Sequence, residues 1–246
     1  MRMPFARVIV MRIRTASSIQ INFCSGQEFN TNLETILVVS HEASRTGAPI
    51  LSLNLVKGLV ERYNIVVLLL GGGPLSKSFL LPGTAVIESP IIREDPDLAS
   101  HLINKLCKRF NFKFALVSTI ESRVVLPALA VNSVAGICLI HEFASVYACP
   151  KDIFEEVLSW PGELVFSTNI VLENAIEKCP AFDYRSTHII PQGRCILPLD
   201  GLTEDQLKVE RERIRRLVRP KDSADNLVVV LGVGSVALRK GVDLFI

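Results

Sequence analysis

Residues 36–62 read ILVVSHEASRTGAPILSLNLVKGLVER, and this stretch decides the fold. It begins with a continuous aliphatic run, which is typical of a strand buried on both faces. From Gly47 onward the apolar residues recur at helical spacing, and Leu51, Leu55 and Leu59 share one face. The apolar stripe is broad enough for a helix that lies on a sheet. The stretch therefore predicts a strand, a polar loop and a helix in succession.

The same alternation continues along the chain to about residue 190. Alternating strands and helices indicate a parallel sheet with right-handed crossovers. We expect an α/β fold, a Rossmann-like doubly wound parallel sheet. The predicted strands are 36–40, 65–70, 85–88, 114–118, 136–141, 163–167 and 188–190, and the predicted helices are 47–62, 97–110, 122–134, 151–160 and 168–178.

The pattern changes near Pro198. Residues 202–219 form a charge-rich amphipathic segment that Pro220 ends, and residues 227–231 are again aliphatic enough for a buried strand. We therefore expect four parts, of which the last is the truncated start of a second Rossmann-like domain. They are an N-terminal extension (1–34), a Rossmann-like domain (35–198), a helical linker (199–226) and that start (227–246).

Composition narrows the class of protein. Hydrophobic residues make up 49% and charged residues 21% of the chain, which is typical of a globular protein. The net charge of +2 gives no general electrostatic reason for nucleic-acid binding. The six cysteines are scattered without metal-ligand spacing, which favours reduced thiols and a cytoplasmic location.

The N-terminal segment 1–14 mixes arginines with apolar residues. Its apolar stretch is too short for a signal peptide, and an irregular extension or an extra strand is the favoured interpretation. Contact of this segment with a membrane surface stays open as an alternative.

The loop after the first predicted strand is a candidate ligand site, because ligands of open parallel sheets bind beyond the carboxyl ends of the strands. It carries His41, Glu42 and Arg45 as candidate substrate-binding residues. Ser44 or Thr46 could cap the following helix, and Gly47 would let a ligand approach its free amides. An ordinary capped turn with solvated polar residues is the alternative.

His141 and Glu142 follow a middle strand at the same predicted edge. A histidine there could hydrogen-bond a sugar hydroxyl or a phosphate, with Glu142 orienting the ring. A lone histidine is usually structural, but two His-Glu pairs after two strands of one sheet would face the same crevice.

Three further turns favour structural roles. Residues 71–73 are three glycines without the Lys-Ser/Thr pair of a phosphate-binding loop, so a turn is preferred. Asp95 and Asp97 are expected to cap a helix rather than to bind a metal. Residues 191–194 are expected to turn the chain toward its second domain.

Near the end of the chain, Gly232 and Gly234 precede the basic pair Arg239 and Lys240. Glycines permit close backbone approach and fixed cations stabilise an anion, so this turn is a candidate phosphate site.

Taken together, VSHEASRTGAPILSLNLVKGL, IHEF, IIPQG and LGVGSVALRKGVDLFI resemble the family-4 glycosyltransferases of the GT-B fold, over residues 36–246. The resemblance implies two Rossmann-like domains, with a nucleotide-sugar donor bound mainly to the second and a saccharide or lipid-linked acceptor mainly to the first. It implies sugar transfer with retention of configuration, without a catalytic metal and without a cofactor beyond the donor substrate.

The resemblance also implies roles for single residues. Lys240, with Arg239 beside it, matches the lysine that binds the donor diphosphate. His141 matches the histidine that faces the donor sugar, so it is the candidate catalytic residue. Gly47 lies in the loop that approaches the diphosphate.

Two departures limit what is expected of this chain. Many family members have an arginine in the glycine turn where this chain has Gly234, and the family's downstream pair of glutamates would lie beyond Ile246. We therefore expect the chain to bind donor poorly and not to turn over alone. A non-catalytic α/β module for binding or assembly is the alternative function.

Overall fold

The computed structural model describes residues 21–23, 29–160, 162–196 and 203–219. The chain divides into two compact units, Met1–Leu197 and Pro198–Ile246, and each is described by itself.

The described part of the first unit contains one sheet of eight strands. The strands are β1 (Ile21–Phe23), β2 (Thr35–Ser40), β3 (Asn64–Leu69), β4 (Thr84–Glu88), β5 (Phe112–Ser118), β6 (Gly136–Ile140), β7 (Gly162–Phe166) and β8 (Thr187–Ile189). Their order in the sheet is β1-β4-β3-β2-β5-β6-β7-β8. Strands β2 to β8 are mutually parallel, and β1 pairs antiparallel with β4 at the edge. The predicted Rossmann-like α/β fold is therefore confirmed, with each predicted strand found within two residues of its expected ends.

Helices cover both faces of the sheet. One face packs against the second to fifth helices, and the other against the first helix and a 3-10 turn at Ser76–Phe79. The α-helices in the described part of this unit are α1 (Gly47–Leu59), α2 (Pro96–Arg109), α3 (Leu126–Val131), α4 (Pro150–Leu158) and α5 (Asn169–Lys178).

The central strands explain the fold. Every residue of β3 is buried, as are residues 36–40 of β2, so these aliphatic runs are removed from water on both faces. Each buried Val, Leu or Ile side chain contributes about 1.5–3 kcal/mol of burial free energy. The continuous aliphatic pattern is thus the direct cause of a parallel sheet sandwiched between helices.

The prediction of one continuous α-helix over 122–134 is wrong. The structure has a 3-10 helix at Ile120–Val125 followed by the short helix α3. Pro127 lies in the first turn of α3, where its ring is incompatible with the carbonyl of a continuous preceding α-helix.

The N-terminal extension contributes the strand β1. Segment 1–14 lies outside the described residues. The alternative that this segment contacts a membrane surface therefore stays a prediction. Among the described helices, none has the length and apolar character needed to cross a membrane.

The second unit is described only at helix α6 (Glu204–Val218). Thr203 and Gln206 form a reciprocal capping box at its start. No described side chain of α6 is buried, and exposed ion pairs such as Arg216–Glu212 at 3.1 Å lie along it. The predicted start of a second domain at 227–246 lies outside the described residues.

Five cysteines lie in the described residues, and all five are free thiols (Cys107, Cys138, Cys149, Cys179 and Cys195). Burial raises the pKa of the Cys138 thiol to about 12, so it stays protonated.

Candidate functional site

The candidate site lies at the carboxyl edge, which we define as the edge of the sheet where β2 to β8 end. Because these strands are parallel, the loops that follow them emerge at one side of the sheet. His41 follows β2, Thr119 follows β5, His141 follows β6 and Gln192 follows β8. The predicted convergence of the two histidines is therefore what the topology produces.

His41 is largely enclosed, with 14% of its side chain exposed. Its Nδ1 lies 3.5 Å from the Thr119 hydroxyl, and its Nε2 lies 3.7 Å from a Glu42 carboxylate oxygen. Burial, reinforced by the nearby Arg93, lowers the pKa of His41, while Glu42 and Glu121 oppose the shift. The ring is therefore neutral at neutral pH.

His141 is the second enclosed imidazole. Its Nδ1 lies 2.7 Å from the Gln192 amide nitrogen, and its Nε2 is buried with no hydrogen-bond partner among the described residues. Burial lowers the pKa of His141 to about 4, and the nearby His41 adds to the shift. The influence of His41 on this pKa places the two rings within electrostatic range of each other at the carboxyl edge.

Gln192 contacts His141 at Nδ1. In this orientation of the amide, its nitrogen donates to Nδ1, so Nδ1 accepts and the ring proton resides on Nε2. The ring is thus prepared to donate a hydrogen bond rather than to abstract a proton. We had expected 191–194 to be only a turn. Its position directly after the last strand is the sequence signal that could have marked Gln192.

Glu142 does not hold the imidazole, contrary to expectation. Its carboxylate instead accepts a hydrogen bond from the backbone N–H of His141 at 3.2 Å. Burial raises the pKa of Glu142, and backbone N–H groups of His141, Glu142 and Ile120 oppose the shift. Gln192 therefore takes the orienting role that the sequence suggested for Glu142.

Glu42 organises the loop after β2. The Ser44 hydroxyl donates to its carboxylate, and the hydroxyls of Ser44 and Thr46 lie 2.8 Å apart. Thr46 occupies the position before α1, yet its side chain does not cap the helix. The expected capping by Ser44 or Thr46 is therefore wrong, because the carboxylate of Glu42 attracts both hydroxyls.

The three glycines after β3 pack against the loop that follows β2. A Cβ at Gly73 would lie 2.3 Å from the Ala43 carbonyl oxygen, so no larger residue fits. The Leu75 N–H donates to the same oxygen at 2.8 Å. The glycine turn serves internal packing, which agrees with the preference for a turn over a phosphate cradle.

Thr119 is a strained residue that the sequence did not reveal. It is fully buried and has φ of 64° and ψ of 170°, a region that essentially only glycine adopts without cost. Its hydroxyl accepts from the Glu121 N–H at 3.2 Å and faces His41. Such strain concentrates at functional sites, where the surrounding structure holds it in place.

A polar cleft and an apolar pocket lie in this unit, and His141 lines the second of them. The polar cleft, of about 630 Å³, is lined by two ion pairs, Arg93–Glu121 at 3.3 Å and Arg123–Glu156 at 2.7 Å. Each guanidinium has a carboxylate partner, and Glu94 adds a third carboxylate, so the lining of the cleft is polar and slightly negative.

The apolar pocket, of about 240 Å³, lies between α1 and the sheet. Its walls include Leu51 and Leu55 from α1 and Leu139 from β6. His141 and Gln192 border it.

Of the remaining predicted residues, some lie at the carboxyl edge and others lie outside the described residues. Arg45 and Gly47 are exposed, and Gly47 is the first residue of α1. Asp95 caps α2 by accepting from the Leu98 N–H at 3.1 Å, as expected. Within the described residues, no group of three or more His, Cys, Asp or Glu side chains could hold a metal ion. Gly232, Gly234, Arg239 and Lys240 lie outside the described residues.

Sequence comparison identifies no relative: no protein-family model matches the chain, and no curated protein matches it. Structure comparison finds the same fold. The crystal structure of Anabaena HepE in complex with UDP and glucose superposes with a TM-score of 0.55 at 12% identity, covering 75% of this chain and 51% of that one. HepE with UDP alone gives a TM-score of 0.50 at 12% identity, covering 76% and 51%. HepE with UDP-glucose gives 0.50 at 12% identity, covering 74% and 50%. The chain thus spans about half the length of these structures, and the likeness shows the fold.

Proposed function

We propose that this chain supplies the acceptor side of a glycosyltransferase that uses a nucleotide-sugar donor. The observation that carries the proposal is the convergence of two neutral histidines, His41 and His141, at the carboxyl edge of a Rossmann-like sheet. The fold is shared with HepE, which has been crystallised with UDP-glucose. The family-4 resemblance of the sequence points to the same chemistry.

In the proposed reaction, the bond between the sugar and the diphosphate breaks and a bond to an acceptor hydroxyl oxygen forms. The nucleoside diphosphate leaves with the electron pair of the broken bond, and its oxygen takes up the proton that the acceptor hydroxyl loses. We propose that the anomeric configuration is retained, that no metal takes part, and that the donor is the only nucleotide required.

His141 is assigned to the donor sugar. A neutral ring with its proton on Nε2 donates to a sugar hydroxyl oxygen without adding a fixed charge. A pKa of about 4 keeps the ring neutral throughout the physiological range. His41, Glu42 and Arg45 are assigned to substrate contacts from the loop after β2, and Glu142 to the support of the His141 backbone.

Gly47 is assigned to the donor diphosphate, along with Arg239 and Lys240. Helix α1 begins at Gly47 without a side-chain cap, so its first N–H groups are free to meet an anion. A Cβ built at Gly47 meets nothing within 4 Å, so the fold itself does not require glycine there.

The partners in this proposal are a nucleotide sugar and a saccharide or lipid-linked acceptor, together with a donor-binding domain. Nucleic acid is not among them. A cytoplasmic location, with contact to a membrane surface through segment 1–14, belongs to the same proposal.

The first test is turnover. The complete product of the coding sequence is incubated with UDP-glucose and other nucleotide sugars and a pool of acceptors, and released nucleoside diphosphate is measured. We expect nucleoside diphosphate to be released. His141→Ala should lower the rate of release by about 100-fold or more, which is the usual loss when a hydrogen-bond donor that stabilises the transition state is removed. His101→Ala, which changes an exposed histidine on α2, is the matched control and should leave turnover unchanged. No release with any donor and acceptor would overturn the proposal and favour a non-catalytic binding module.

The second test concerns Gly47. In the complete product of the coding sequence, we expect Gly47→Ala to weaken nucleotide-sugar binding at least tenfold, because a methyl group would obstruct a diphosphate close to the backbone. Gly58→Ala is the control, since a Cβ there also meets nothing within 4 Å and Gly58 lies on the same helix. Equal affinities in calorimetric titration of the two variants would remove Gly47 from the donor site.

A further inference from the structure

We infer that the apolar pocket receives an apolar group of the acceptor, an aromatic ring or short hydrocarbon chain whose hydroxyl lies beside His141. This inference rests on the proposed function and specifies the acceptor class that the site prefers.

The arrangement along β6 supports it. Ile137 and Leu139 project from one face of β6, and His141 follows directly after the end of the strand at the carboxyl edge; all three line the pocket. Val165 on β7 and Ser167 directly after it follow the same order, from an apolar to a polar residue. Polarity in the pocket therefore rises toward the edge where the histidines lie. A ligand that is apolar at one end and hydroxylated at the other matches this gradient.

The size of the pocket limits the ligand. A cavity of about 150 Å³ lined by aliphatic and aromatic side chains is enough to bind benzene. The apolar pocket holds about 240 Å³, so it accommodates more than a single six-membered ring. Whole drug-sized ligands occupy about 300–1,000 Å³, so only part of a larger acceptor enters.

The walls discriminate against a bare saccharide. Leu51, Leu55, Leu139 and Val165 offer no hydrogen-bond partner to a hydroxyl. Moving a hydroxyl from water to such walls without a partner is unfavourable. An acceptor that carries an apolar group is therefore preferred over one that is hydroxylated all round.

The test measures direct binding, with no donor present. 2-Naphthol, a ten-carbon ring system with one hydroxyl, is titrated into the 246-residue chain and its fluorescence is followed. We expect saturable binding at one site, and no displacement by glucose. Leu55→Phe, which fills the pocket from α1, should weaken binding at least tenfold. Leu59→Phe is the matched control, because Leu59 is a half-buried leucine of the same helix outside the pocket, and it should bind like the wild type.

A measurement on the wild-type chain covers the case in which Leu55→Phe does not fold. In methyl NMR spectra, 2-naphthol should shift the signals of Leu139 and Val165 and leave that of the exposed Val131 unchanged. Non-saturable binding, equal weakening by both variants, or shifts that spare Leu139 and Val165 would overturn the inference. Binding of 2-naphthol without any sugar turnover would contradict the proposed function but support an apolar ligand site in the pocket. Sugar turnover without 2-naphthol binding would support the proposed function and contradict the inference about the pocket.

Discussion

The two ends of the parallel strands differ in how well their polar groups are satisfied. At the amino end, the buried Asn64 side chain accepts from the Asn30 N–H and donates to the carbonyls of Asn30 and Leu33, at 2.8–2.9 Å. At the carboxyl end, His141 Nε2 and Ser118 Oγ are buried without partners among the described residues. Trp160 Nε1 is an exception at the amino end. Buried polar groups without partners are costly and concentrate where ligands bind.

The amino end of the strands therefore stabilises the domain, whereas the carboxyl end holds features that a bound ligand would explain. The amino end follows the rules of stable packing. The carboxyl end combines strain at Thr119, depressed histidine pKa values and unpartnered polar atoms. Departures from local rules of this kind are expected at functional sites.

Two buried threonines give the sharpest test. The Thr84 hydroxyl accepts from the Leu81 N–H at 2.9 Å and lies 2.8 Å from two carbonyl oxygens, whereas Thr119 is held at φ of 64°. Thr84→Gly should lower the free energy of unfolding by about 4 kcal/mol, because hydrogen bonds, a buried methyl and strand rigidity are all lost. Thr119→Gly should lower it by less than about 1 kcal/mol, since relief of strain offsets those losses. Urea denaturation measures both, and equal losses would mean that the Thr119 backbone is unstrained.

The next test replaces a buried polar side chain by leucine at each end. Asn64→Leu should cost about 3 kcal/mol, because three hydrogen bonds are broken and their backbone partners remain buried. His141→Leu should change stability by less than about 1 kcal/mol, because removing the buried, unpartnered Nε2 offsets the loss of the exposed hydrogen bond between Nδ1 and Gln192. Thermal and urea unfolding provide the measurement. A large loss of unfolding free energy in His141→Leu would show that the His141 ring stabilises the folded core.

The smallest expected effect is the pH dependence of stability. Unfolded His141 gains a proton near its ordinary pKa of 6.5, but the folded ring does so only near pH 4. Between these values the unfolded state binds more protons, so the free energy of unfolding falls as the pH is lowered from 6.5 to 4 and levels off below. The full shift corresponds to about 3 kcal/mol, which partial solvent exposure reduces to about 2 kcal/mol.

His141→Leu should remove that part of the pH dependence, and His101→Leu should retain it. His41, whose pKa is also lowered, contributes with the same sign in both variants. Parallel stability curves for the two variants between pH 4 and 6.5 would mean that His141 titrates normally.

The sequence predicted the sheet because its strands are short aliphatic runs, which are typical of parallel strands buried on both faces. It also placed His41 and His141 at one edge, since both directly follow strands. It could not reveal the bond between His141 and Gln192, because 51 positions separate the two residues and only the β6–β7–β8 order brings them together. Nor could it reveal the Thr119 backbone, because threonine gives no signal for a positive φ.

The capping assignment failed for a related reason. Ser44 and Thr46 have the right side chains and positions to cap α1, but a carboxylate two and four residues earlier competes for their hydroxyls. Local preferences of this sort are decided by the neighbouring side chains in three dimensions.

The parallel pairing of β6 also has a consequence for folding. Its partners are set by register, with Ser118 opposite Leu139 and Ile140 opposite Phe166. A slip of one residue would displace His141 by about 3.3 Å along the strand and turn it to the other face. A chain trapped in such a register would keep most of its secondary structure and lose the contact between His141 and Gln192. The shifted His141 titration is therefore a spectroscopic marker of correctly registered molecules, distinct from any measure of helix or strand content.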